Sequence, residues 1–120
     1  MEGFDCSGLV IEILKSVGMA PPYDTTAQGL YEYFKGNSDD INRGLGSLVF
    51  FGRSEREISH VGFLLDSYRM LEAGGGNSKT VTKSVASKQN AFIRIRPVSN
   101  RKDLVGYLFP PYDNKKLIPL

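Results

Sequence analysis

The sequence predicts an α+β fold, with an N-terminal helix packed on an antiparallel β-sheet. Three observations predict it. Helix-period apolar spacing is confined to the first third of the chain, short apolar runs bounded by glycine or turn residues follow, and the connections between those runs are short. A length of 120 residues suits one domain spanning the whole chain. At 41% hydrophobic and 11% aromatic residues, the chain can bury a genuine core.

The first helix is read over residues 6–17. Leu9, Val10, Ile13, Leu14 and Val17 recur at i, i+3 and i+4, with Glu12, Lys15 and Ser16 on the other side. Asp5 is the expected N-cap and Gly18 the expected residue just past the end. Pro21-Pro22-Tyr23-Asp24 is a rigid connector, because proline fixes φ. A shorter helix runs from Thr25 or Thr26 to about Lys35, with Leu30, Tyr31 and Phe34 inward, and residues 36–40 form a polar loop.

Strand texture begins at Ser47-Leu48-Val49-Phe50-Phe51, an apolar run between Gly46 and Gly52. Ser59–Leu65 and Tyr68–Ala73 follow as a pair about the turn at Asp66-Ser67. Val81–Val85 is a weak strand. Ala91–Val98 alternates, with Phe92, Arg94 and Arg96 against Ile93 and Ile95, and Val105–Phe109 is the last strand.

Bulk chemistry excludes several functions. Net charge is +2 and the fifteen Lys and Arg residues form no basic stripe, which argues against nucleic-acid binding. One cysteine and one histidine leave no internal disulfide and no Cys/His metal cluster, so no cofactor is implied. No apolar run reaches the roughly 20 residues that a bilayer span requires, and no secretory signal is present in this chain. Membrane insertion is therefore not expected, and the sequence leaves the location unknown.

Cys6 is the first candidate for chemistry. In the first turn of a helix capped by Asp5, its sulfur faces unpaired backbone N–H groups and the positive end of the macrodipole, which favour a thiolate. Gly8 leaves room for close approach. The Asp5 carboxylate opposes thiolate formation unless its oxygens are tied to helix amides. A thiol nucleophile needs a base, and His60 is the only histidine to serve as one. Strand alternation puts His60, Gly62 and Leu64 on the face opposite Val61, Phe63 and Leu65. Glu72 sits across the hairpin turn from His60 and fits the group that orients the imidazole, with Asn77 and Gln89 as weaker substitutes.

These residues resemble a known family. Phe4-Asp5-Cys6-Ser7-Gly8-Leu9-Val10 is similar to the FDCSGLV signature of NlpC/P60 cysteine peptidases. Gly46-Ser47-Leu48-Val49-Phe50-Phe51 resembles the family's GDLVFF strand, with Ser47 in place of the aspartate. Ser59–Leu65 resembles its SHVGIYL strand, and Met70-Leu71-Glu72-Ala73 falls where the family has a FIHA-like segment. Order and spacing agree over roughly residues 3–76. The Glu72–Gly76 run resembles members found in phages and mobile elements.

The resemblance implies a papain-like fold and a cysteine endopeptidase acting on peptidoglycan stem peptides, often after D-glutamate, at the bacterial cell envelope. It implies Cys6 as nucleophile and His60 as base, with Glu72 where many members carry a third polar residue, usually His. Asp5, Ser7 and Ser59 would flank the substrate and oxyanion side. Tyr23, Tyr31 and Tyr33 are candidates either for the cleft wall or for ordinary packing. Only Met1-Glu2-Gly3 precede Phe4, so the wall that usually precedes the cysteine is expected to be missing, reduced or supplied by another chain, with a larger parent protein or phage assembly left open. That departure motivates a rival reading as a weakened or inactive wall-binding module or tail component. A CHAP-like amidase, which also keeps Cys before His, is a further alternative.

Overall fold

A computed structural model of the chain describes residues 5–36, 43–74 and 93–112. Its elements are helix α1 (Cys6–Ser16), helix α2 (Ala27–Phe34) and strands β1 (Leu48–Ser54), β2 (Glu57–Leu64), β3 (Arg69–Ala73), β4 (Ile93–Pro97) and β5 (Leu104–Leu108), with a 3-10 turn at Val98–Asn100. The five strands form one antiparallel sheet in the order β4-β3-β2-β1-β5. The α+β class read from the sequence is the class observed. The weak strand expected at 81–85 lies outside the described residues, as do most of the polar loop and the candidates Asn77 and Gln89.

Both helix ends follow from local chemistry. At the start of α1, Asp5 Oδ1 accepts from Gly8 N at 2.7 Å. At its end, Gly18 adopts φ +71°, a left-handed conformation that costs glycine little. Gly18 N then donates to Lys15 O and Met19 N to Leu14 O, the paired bonds of a Schellman motif. That closure returns Met19 to the core beside Leu14. In α2, Thr26 Oγ1 accepts from Gly29 N at 3.0 Å. Gln28 ties this helix to the sheet, donating to Glu55 O and accepting from Ile58 N at the β1–β2 hairpin.

The sheet is apolar on both faces. Leu48, Phe50 and Val61 pack with Val10, Ile11 and Leu14 of α1 and with Leu30 and Phe34 of α2. On the other face Val49, Phe51, Leu64, Met70 and Val98 form a second cluster. A strand covered on both sides reads as a continuous apolar run, which is why β1 shows no alternation in sequence. His60 shares the second cluster's face, opposite the helices, and contacts the Phe51 ring at 5.7 Å between centroids.

Two departures bear on the site. The β2–β3 ladder holds just two residue pairs, Phe63 with Leu71 and Leu64 with Met70, next to the turn. Toward Ser59, His60, Glu72 and Ala73 the two strands share no ladder partners. Second, the sequence ends the first strand at Gly52, whereas β1 continues to Ser54 through an irregularity in its pairing with β2 at Gly52. A side chain at 52 would collide with the Glu57 carbonyl oxygen and come within 2.8 Å of Ile58 Cα, so the glycine permits a close backbone approach. Gly52→Ala should therefore destabilise the fold by about 1–3 kcal/mol, the range for forced overpacking, read as a lower urea midpoint at unchanged m-value.

Candidate active site

The start of α1 sets the first half of the site. Cys6 is the first residue of the helix and partly buried. Asp5 caps the helix and also opens its backbone ladder. Its side chain takes Gly8 N and its backbone carbonyl takes Leu9 N at 3.1 Å. The amides of Cys6 and Ser7 have no partner among the described residues, so two N–H donors remain at the helix start beside the thiol. The carboxylate that could oppose a thiolate is thus engaged with the helix backbone.

The second half comes from β2 and β3. His60 Nε2 lies 2.6 Å from Glu72 Oε1, and Glu72 is 2% exposed. With Nε2 engaged, the ring presents Nδ1 as its other nitrogen. The Cys6 thiol is near enough to the imidazole to favour its charged form. Cys6, His60 and Glu72 line one cleft of about 330 Å³, together with Asp5, Ser59 and Arg101. The opening lies where β2 and β3 share no ladder partners, and that is how Cys6, on a helix packed against one face, meets His60 on the other.

Ser7, expected on the same side, is buried and donates its hydroxyl to Asp5 Oδ1 at 3.3 Å instead of lining the cleft. Ser59 lines the cleft and is exposed. The three tyrosines are not among the cleft residues: Tyr31 packs edge-on against Phe50, and Tyr23 packs against Tyr33. Ser47, which replaces the family aspartate, is fully buried and keeps local bonding through Leu108 O at 3.4 Å. Among the described residues no three His, Cys, Asp or Glu side chains converge to hold a metal ion, and no helix is long and apolar enough to cross a membrane.

Three arginines were not anticipated as site residues. Arg94 Nε donates to Glu72 Oε2 at 3.0 Å, and Arg96 Nε lies 3.4 Å from the same oxygen. Arg101 stacks over Phe51 at 5.0 Å and is held by Asp103 through two bonds, at 3.0 and 2.8 Å. The Arg94/Arg96 alternation was the visible signal, since it places both side chains on one face of β4 (Ile93–Pro97).

Electrostatics favour an ionised pair. Burial works against a charged His60, but hydrogen bonding to Cys6 and Glu72 outweighs it, and the pKa rises above the ordinary 6.5. Burial likewise opposes ionisation of Glu72, yet its bonds to His60 and Arg94, with the Arg96 charge, take it below 4.5. His60 stabilises the fold below its ordinary range and loses that contribution as pH rises through the raised value. Glu72 stabilises above about 4.5 and loses its contribution as pH falls through the lowered value. The pair therefore holds between those two limits.

A helix-borne cysteine facing a histidine–carboxylate pair across an antiparallel sheet defines a papain-like α+β architecture. The NlpC/P60 family profile matches residues 1–96, and the chain belongs to that family. Members of that family are generally cysteine peptidases or hydrolases. Among solved structures, the fold is similar to that of a Staphylococcus aureus protein, itself similar to a lipoprotein of the NLP/P60 family. The TM-score is 0.60 at 23% identity, over 89% of this chain and 32% of that one. The chain thus spans about a third of the staphylococcal protein's length. No curated protein matches significantly.

Because the chain has one histidine, its ring gives a single NMR titration curve. In the wild type the midpoint should lie above 6.5, and Glu72→Gln should move it down. An unchanged midpoint in Glu72→Gln would show that the carboxylate does not hold the imidazolium.

Proposed function

We propose that this chain is a cysteine endopeptidase that hydrolyses amide bonds in peptidoglycan stem peptides, with the bond after D-glutamate as the expected target. The observation that carries the reading is the convergence of Cys6, His60 and Glu72 in one cleft at the start of α1. Family membership supports the substrate class.

The reaction is acyl transfer to water. His60 takes the thiol proton at Nδ1, and the sulfur attacks the carbonyl carbon of the stem peptide. The carbonyl oxygen gains the negative charge and is received by the free amides of Cys6 and Ser7, so Ser7 contributes through its backbone N–H. The imidazolium, steadied by Glu72 at Nε2, returns its proton to the leaving nitrogen as the C–N bond breaks. A water then loses a proton to His60, attacks the thioester carbon and releases the sulfur. Glu72 remains ionised throughout and keeps the ring oriented.

Mass spectrometry of muropeptides digested by the purified chain should reveal released stem-peptide fragments. Cys6→Ala should abolish that release, and His60→Ala should slow it by roughly 10²–10⁴-fold, the range for loss of a general base. Undiminished cleavage by Cys6→Ala would sink the proposal.

A further inference from the structure

The β4 arginines hold more positive charge than their partner can absorb. Glu72 pairs with Arg94, and Met70 with Arg96, in the β3–β4 ladder, so both guanidinium groups fall on the Glu72 side of the sheet. One carboxylate then serves three groups: His60 on Oε1, and Arg94 and Arg96 on Oε2. A guanidinium has five N–H donors. Arg94 commits its Nε. Arg96 Nε is buried 3.4 Å from Oε2 but makes no hydrogen bond. The outer nitrogens of both groups have no partner among the described residues, and both side chains, 44% and 28% exposed, line the cleft.

The other charges lining this cleft are already committed. Asp5 is bound to the helix start and Arg101 to Asp103. If the arginines only served to keep Glu72 ionised, one would suffice, and the second would add repulsion between like charges. His60 adds a third positive charge whenever it holds the thiol proton. Gly74 supports the arrangement, because a Cβ there would sit 2.6 Å from Arg94 Nη2. The guanidinium occupies the space that a side chain at 74 would fill.

We propose that Arg94 and Arg96 form a carboxylate-binding subsite on the leaving-group side of the cleft. The inference rests on the peptidase reading for its placement. His60 delivers its proton to the leaving nitrogen, so the departing half of the substrate lies toward the imidazole, and the arginines stand behind that ring on Glu72. The paired N–H fork of a guanidinium matches a carboxylate in geometry as well as charge. The ligand is therefore a peptide whose released residue carries a free carboxylate near the scissile bond.

Paired synthetic peptides test the subsite. They differ only in whether the carboxylate of the released residue is free or a carboxamide, and a second pair carries the same change on the acyl-side residue. Wild type should show a roughly tenfold to hundredfold higher KM for the leaving-side carboxamide, the range for a hydrogen bond to a charged group, and a smaller effect for the acyl-side pair. Arg96→Gln should collapse the leaving-side ratio toward one, and Arg96→Lys should retain part of it. Equal KM values in the wild type, or a ratio that persists in Arg96→Gln, would overturn the subsite. A dominant acyl-side effect would overturn its placement. The released fragment, as carboxylate and as carboxamide, is also titrated into Cys6→Ala by NMR. If no peptide is cleaved, the peptidase reading fails, while tighter binding of the carboxylate fragment still supports the subsite and equal binding removes it.

Discussion

The site depends on one contact: the 2.6 Å bond between His60 and Glu72. It joins β2 to β3 beyond the point where their backbone ladder stops. A carboxylate this deeply buried is costly unless hydrogen-bonded and compensated in charge. Here the imidazole takes one oxygen, and two guanidinium groups flank the other. The same contact leaves Nδ1 as the ring's other nitrogen. Removing His60 would leave Glu72 Oε1 without its partner, and removing Glu72 would take the carboxylate from the imidazole and from both guanidinium groups.

The start of α1 divides its donors with similar economy. Four amides are unpaired at any helix start. The Asp5 side chain takes that of Gly8, and those of Cys6 and Ser7 have no partner among the described residues. One aspartate thus caps the helix and keeps its own charge directed at the backbone. The serine after the cysteine, which read as a cleft residue, turns its hydroxyl to that aspartate and is buried.

Much of the fold was legible because its signals are local. Helix spacing, caps and glycine-bounded runs placed both helices, and apolar runs and alternation placed the centres of all five strands. The symmetry of 60 and 72 about the hairpin turn is enough to bring histidine and carboxylate together. What stayed hidden depends on long-range packing. No local pattern reports that the β2–β3 ladder is two pairs long, or that the helix-borne thiol reaches a histidine on the sheet's other face. Strand β1 runs through Gly52 because of a carbonyl from the next strand, which a glycine in sequence does not reveal. Arg94 and Arg96 read as one face of an alternating strand, and only the register against Glu72 makes them part of the site.

The short ladder also makes the turn after β2 a mechanical element. There Asp66 accepts from the amides of Tyr68 and Arg69 and from the Arg69 guanidinium, at 3.0, 2.8 and 2.8 Å. With two ladder pairs beside it, this turn is the fulcrum between two parts of the sheet. One part carries the imidazole, and the other carries the carboxylate and its arginines. A small rotation there would change the spacing of His60 and Glu72 at the open end, although Asp66 touches neither.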